Sequence, residues 1–115
     1  MRAALEYHRA AKQTAPDPAR LRLRLAAVAQ TLRGLLADGV AVRLVEFPLH
    51  PELAATPYET ALRAELRRAL PEGECTWLRP TAGFTYMTTD GLHLDTTSAR
   101  QFAGVLRQAA GLKAP

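Results

Sequence analysis

Apolar residues recur at the three- and four-residue spacing of an amphipathic helix in four stretches of the chain. The longest stretch begins at Pro18, where Asp17 is suited to cap the helix N-terminus, and it ends before Gly39. The residues predicted to face inward along this helix are Leu21, Leu25, Val28, Leu32, Leu35 and Leu36. A shorter helix is predicted over residues 1–13, although few capping residues mark its ends.

A third helix is predicted after the tetrapeptide Thr56-Pro57-Tyr58-Glu59. Thr and Glu at this spacing form a capping box, and proline suits the first helical position. The helix stops before Pro71, and its predicted inward residues are Leu62, Leu66 and Leu70.

The fourth helix is predicted to open at Thr97 or Ser98 and to close at Gly111. Its predicted inward residues are Phe102, Val105, Leu106 and Ala109. It follows a turn-rich stretch at residues 80–95, which is predicted to be a loop.

Two short apolar runs alternate with the helices and predict β-strands at residues 40–47 and 75–78. A mostly apolar strand directly after a helix is typical of a buried parallel sheet. The predicted fold is therefore α/β, with a short parallel sheet in part of a three-layer α/β/α sandwich of the flavodoxin-like kind. A doubly wound domain usually has four or five strands, so two strands indicate a partial fold.

The composition is that of a single globular domain spanning residues 1–115, with a poorly defined N-terminal segment at residues 1–18. The chain is 48% hydrophobic and 23% charged, and its one cysteine excludes an internal disulfide. We find neither a secretory leader nor an apolar run of about 18 residues, so the sequence as written predicts a cytoplasmic protein that does not enter membranes. A surface or periplasmic location is the alternative if the chain is a fragment of a longer protein.

The net charge of +4 comes from arginines that are scattered along the chain. Neither aromatic residues nor glycines interleave them, so the sequence predicts a solvated basic surface and no nucleic-acid binding.

The most informative residues for chemistry are Asp90 and His93, three positions apart and just before the last helix. Asp90 can accept the imidazole N–H of His93, which leaves the other ring nitrogen free to act as a base. Gly91 allows the tight turn that this pairing needs. The same spacing is also common in plain turns that end in a half-buried histidine, and the spacing alone does not decide between these interpretations.

Residues 90–95, Asp-Gly-Leu-His-Leu-Asp, together with Ser98-Ala99 and Phe102, resemble the last sequence block of the SGNH/GDSL hydrolase superfamily. The wider resemblance covers roughly residues 20–112, including the helix–strand unit that ends in a proline-rich loop. It implies an ester hydrolase or acyltransferase, often acting on acyl groups linked to carbohydrate. It also implies that His93 is the general base and Asp90 the carboxylate that orients it.

Several elements of the family pattern are missing from this chain. The family places its nucleophilic serine in an upstream Gly-Asp-Ser block, and an oxyanion-hole glycine and asparagine in middle blocks. This chain has no such blocks, no asparagine, and Ser98 as its only serine. Ser98 stands at the start of the last helix, where a structural role is expected. The resemblance thus predicts a C-terminal part that is inactive alone and needs a missing N-terminal half, with no cofactor.

His50 follows the first predicted strand, at the edge that faces the ligand crevice in open α/β sheets. It is a candidate substrate-binding residue beside His93, and a solvent-exposed loop histidine is the alternative. The chain lacks the tight histidine spacing of zinc sites, so no metal is predicted. Cys75 is most simply a buried small hydrophobic residue.

A second functional class stays open beside the hydrolase. A partial sheet leaves an open strand edge and apolar surface, which self-association would cover. The alternative is therefore a non-catalytic α/β interaction module, and a homodimer is one predicted assembly.

Overall fold

The computed structural model describes residues 2–79 and 86–112. In chain order its elements are α1 (Arg2–Ala11), α2 (Pro18–Ala37), β1 (Arg43–Leu44), α3 (Pro51–Ala54), α4 (Pro57–Ala69), β2 (Thr76–Trp77) and α5 (Thr96–Ala109). The two strands pair in parallel, with α4 between them in the sequence. The predicted α/β class and the parallel sheet are confirmed.

The strands are shorter than the sequence predicted. Only Arg43 and Leu44 pair with Thr76 and Trp77, and one further bond runs from the Leu78 N–H to the Leu44 carbonyl at 2.7 Å. Apolar content predicts where a strand can form, whereas the number of paired residues depends on how many residues of the neighbouring strand are extended alongside it.

The ends of α2 are as predicted, but its inward face is narrower. The Asp17 carboxylate accepts the Ala19 N–H at 3.3 Å, and Gly39 has a φ of +82°. Leu25 is buried, yet Val28 is 45% exposed and Leu35 39% exposed. The prediction that these last two face the interior is wrong, because the described neighbours cover only part of the apolar stripe.

A small core joins α2, α4 and the sheet. Its buried residues are Ala29, Leu70 and Cys75, and its partly buried neighbours are Leu32, Leu44, Leu66, Ala69 and Trp77. The predicted burial of Cys75 is confirmed. The Trp77 ring N–H donates to the Leu70 carbonyl at 2.7 Å, which holds the end of α4 against β2.

Only half of the predicted capping box forms at α4. The Thr56 hydroxyl accepts the Glu59 N–H at 3.5 Å, whereas the Glu59 carboxylate pairs with the Lys12 ammonium. The Tyr58 N–H also donates to the Lys12 carbonyl at 3.1 Å. The start of α4 is therefore tied to the residue that follows α1.

The last helix begins slightly earlier than predicted, at Thr96, because Asp95 caps it by accepting the Ser98 N–H at 2.8 Å. Phe102 is buried as predicted, and its ring lies 4.9 Å from that of Phe47. Ala109 was predicted to face inward and is exposed. None of the described helices is both long and apolar enough to span a bilayer.

Candidate functional site

Residues 87–95 form a short hairpin directly before α5, which we call the dyad hairpin. Its arms are joined by an antiparallel bridge between Thr88 and Leu94. The Asp95 N–H donates to the Met87 carbonyl at 2.9 Å, and the Thr89 N–H donates to the His93 carbonyl at 2.8 Å. This part of the predicted loop at residues 80–95 is thus ordered by backbone pairing, and residues 80–85 lie outside the described ranges.

The structure brings Asp90 and His93 together at the tip of this hairpin. One Asp90 oxygen, Oδ1, accepts the backbone N–H groups of Leu92 at 2.8 Å and His93 at 2.7 Å. The other, Oδ2, lies 2.6 Å from His93 Nδ1. The backbone N–H of His93, its ring and the N–H of Leu92 together hold the pKa of Asp90 well below its usual range.

The geometry defines which ring nitrogen of His93 is available. Asp90 is ionised and can only accept, so Nδ1 carries the proton in the neutral ring and donates it to the carboxylate. Nε2 is then an acceptor. The His93 side chain is 77% exposed, whereas that of Asp90 is 26% exposed. The arrangement is an oriented base on the surface, held by a less exposed carboxylate.

Gly91 anchors the dyad hairpin to the rest of the chain. It has a φ of +94°, and a β-carbon there would lie 2.7 Å from a Leu5 methyl carbon and 2.9 Å from a Leu53 methyl carbon. Leu5 on α1 and Leu53 on α3 are both fully buried. The sequence predicts the turn at Gly91 but not these two supports, because no local pattern links α1 to a loop more than 80 residues later.

His50 contacts the hairpin through its backbone. Its N–H donates to the Gly91 carbonyl at 3.0 Å, and its ring nitrogen Nδ1 accepts the Glu52 N–H at 3.2 Å, which caps α3. No sequence pattern predicts α3, since Pro48 and Pro51 indicate only that the preceding strand ends. The His50 ring therefore already has a structural hydrogen bond at Nδ1.

Ser98 holds the hairpin to α5. It is buried, and its hydroxyl accepts the Met87 N–H at 2.8 Å. The expected structural role at the helix N-terminus is confirmed. Within the described residues, the His93 ring forms no hydrogen bond except that with Asp90, so no described hydroxyl or thiol stands ready as a nucleophile.

In the described part of the chain, no group of three histidine, cysteine or acidic side chains lies close enough together to bind one metal ion. Comparison with protein-family models, with curated proteins and with solved structures gave no significant match to this chain.

Proposed function

We propose that this chain supplies the histidine and the aspartate of a Ser-His-Asp site for ester hydrolysis or acyl transfer. His93 is the general base and Asp90 the residue that orients it. The single observation that carries the proposal is the 2.6 Å contact between Asp90 Oδ2 and His93 Nδ1 in a hairpin whose backbone also binds the carboxylate.

This contact supports the proposal because acyl transfer needs a base whose orientation is set before the substrate arrives. A carboxylate on Nδ1 fixes the tautomer, aims Nε2 outward and stabilises the imidazolium that forms when the base takes a proton. The ring of His93 is accessible, so a nucleophile from outside the described residues can reach Nε2.

In this proposal the nucleophilic serine and the oxyanion-hole donors come from a second polypeptide segment, as in the SGNH-like hydrolases that residues 90–95 resemble. The same segment would extend the two-stranded sheet toward a three-layer α/β/α sandwich. Serine attacks the ester carbonyl and His93 accepts its proton. The protonated His93 then returns that proton to the departing alkoxide, and water or an acceptor hydroxyl releases the acyl group.

The proposed substrates are esters of small acyl groups, such as acetyl groups on carbohydrate hydroxyls, which the resemblance favours. The 115-residue chain alone is expected to be inactive, because loss of the nucleophile of a triad lowers turnover by about a million-fold.

The test uses the protein captured from its source cells by an antibody to this chain, with whatever segment or partner accompanies it. Hydrolysis of an aryl acetate is measured for the wild type and for His93→Ala and Asp90→Asn introduced at the chromosomal locus. Both substitutions are expected to lower kcat by about 1,000-fold or more, since each removes a member of the triad.

His8→Ala is the matched control, because His8 lies on α1 and is not part of the dyad hairpin. It should leave kcat unchanged. An active preparation in which His93→Ala retains full activity would exclude this role for His93, and a captured protein without esterase or transferase activity would contradict the proposal as a whole.

A further inference from the structure

Helix α2 contributes to the core through Ala29, yet another side of the same helix carries exposed apolar residues. Val28 and Leu35 are both substantially exposed and stand seven residues apart. Arg24, Thr31 and Asp38 interleave with them at three- and four-residue steps. We call these five residues the α2 flank. Alternation of this kind is the heptad spacing with which one helix packs along another.

The α2 flank points away from α4. Arg22 and Arg33 lie on the α4 side, where they pair with Glu65 and Glu74. At 100° per residue, Val28 and Leu35 lie roughly 140° around the helix from those arginines. No described helix or strand other than α4 makes close backbone contact with α2, so the flank has no partner within the described chain.

The charges of the flank are complementary to those of the same flank in a second copy that runs antiparallel to it. Arg24 and Asp38 are each seven residues from Thr31, on opposite sides of it. A two-fold axis at Thr31 would therefore place Arg24 of each copy opposite Asp38 of the other, and Val28 beside Leu35. Neither Arg24 nor Asp38 has an ion pair within the described residues. Asp38 also lies at the C-terminus of α2, where the helix dipole disfavours a negative charge.

Thr31 fits the centre of such a contact. Its hydroxyl already donates to the Ala27 carbonyl at 3.1 Å, so burial of this side chain leaves no unpaired donor.

The area of the molecule also favours a second copy. The accessible surface is 7852 Å², about a quarter more than a compact chain of this length exposes. A second copy packed on the α2 flank would cover part of this excess.

We propose that the chain forms a two-fold symmetric dimer in which the α2 flanks of two copies pack antiparallel, with Arg24 of each copy paired with Asp38 of the other. The interface is separate from the dyad hairpin. It holds whether or not Asp90 and His93 act in catalysis.

Sedimentation of the purified 115-residue chain over a concentration series tests the proposal. The wild type is expected to show a monomer–dimer equilibrium. Val28→Asp should raise the dissociation constant by about 100-fold or more, because it buries an unpaired carboxylate at the contact. Leu23→Asp is the matched control: Leu23 is 74% exposed and lies roughly 100° around α2 from the centre of the flank, so its substitution should leave the dissociation constant unchanged.

Exchanging the charges of Arg24 and Asp38 distinguishes a dimer formed through the α2 flank from a dimer formed through another surface. Arg24→Glu alone and Asp38→Arg alone should each raise the dissociation constant by about ten-fold or more, since like charges then face one another. The double variant restores opposite charges and should return it to near the wild-type value. Far-ultraviolet circular dichroism verifies that each variant is folded.

Three results would overturn the proposal. One is a chain that stays monomeric at every concentration. Another is a dimer that Val28→Asp and the charge reversals leave intact, which would point to a different surface such as the open edge of β1. The third is a double variant no tighter than the single reversals.

Discussion

The Asp90 carboxylate accepts three hydrogen bonds, two from backbone N–H groups and one from the His93 ring. The two backbone bonds fix the position of the carboxylate, and the carboxylate in turn orients the His93 ring. The orientation of the ring is therefore set locally, by the fold of residues 90–93. Because all three bonds favour the ionised form, the pKa of Asp90 lies well below its usual range.

The lowered pKa of Asp90 predicts how stability depends on pH. In the unfolded chain an aspartate titrates near a pKa of about 3.9, and in the folded hairpin the pKa of Asp90 is lower. Its contribution to the free energy of unfolding is thus fully present above about pH 5 and is lost as the pH falls below about 4. Urea unfolding of the wild type and of Asp90→Asn across this range should give a stability difference that shrinks on acidification. A difference that is constant or grows toward low pH would contradict the hydrogen bonding described for Asp90.

The spacing of Asp90 and His93 predicts that the two side chains meet, because their pairing is local in sequence. It could not identify what holds the hairpin in place. Leu5 and Leu53 contact Gly91 through tertiary packing, and such contacts have no signature in the spacing of either helix. The same holds for His50. The sequence predicts that it follows a strand, but not that it caps α3, because a helix of only four residues has no recognisable periodicity.

At the scale of elements, the dyad hairpin is held by three helices. Leu5 of α1 and Leu53 of α3 pack against Gly91, and Ser98 of α5 binds the Met87 N–H. The His50 N–H adds a bond to the Gly91 carbonyl. These contacts come from elements far apart in sequence, so loosening any one of them should loosen the base at His93.

Gly91→Ala should destabilise the chain by about 2–5 kcal/mol. An alanine at a positive φ costs about 1–2 kcal/mol, and the new methyl group overlaps Leu5 and Leu53 for about 1–3 kcal/mol more. Chemical denaturation measures the change. Gly104→Ala on α5 is the control, since no side chain lies within 4 Å of its β-carbon position. It should be neutral or stabilising by up to about 1 kcal/mol. Equal stability of Gly91→Ala and the wild type would show that Gly91 is not clamped between α1 and α3.

The sequence patterns predicted the longer helices well because capping residues act within one turn. Asp17 caps α2 and Thr56 caps α4 as predicted, whereas Asp95 caps α5 slightly before its predicted start at Thr97 or Ser98. The inward faces were predicted less well. Val28 and Leu35 have the spacing of core residues, but burial also requires a neighbour, and α4 covers only the other side of α2.

On the scale of the whole molecule, the chain is flat and open. Its extents are 45 × 42 × 17 Å, and its radius of gyration is 15.8 Å, against about 13 Å for a compact domain of this length. A two-stranded parallel sheet with α5 attached mainly through the hairpin and the Phe47–Phe102 contact leaves much apolar surface in water. Both proposals are compatible with this openness. A second segment completes the site in one, and a second copy covers the α2 flank in the other.

The central claim is that Asp90 holds His93 as an oriented base with Nε2 free. Nitrogen-15 NMR of the neutral His93 ring in the purified 115-residue chain tests this claim most directly. We predict that Nδ1 carries the proton and Nε2 does not, and that Asp90→Asn weakens this preference. A ring protonated at Nε2, with a pattern that Asp90→Asn leaves unchanged, would contradict it.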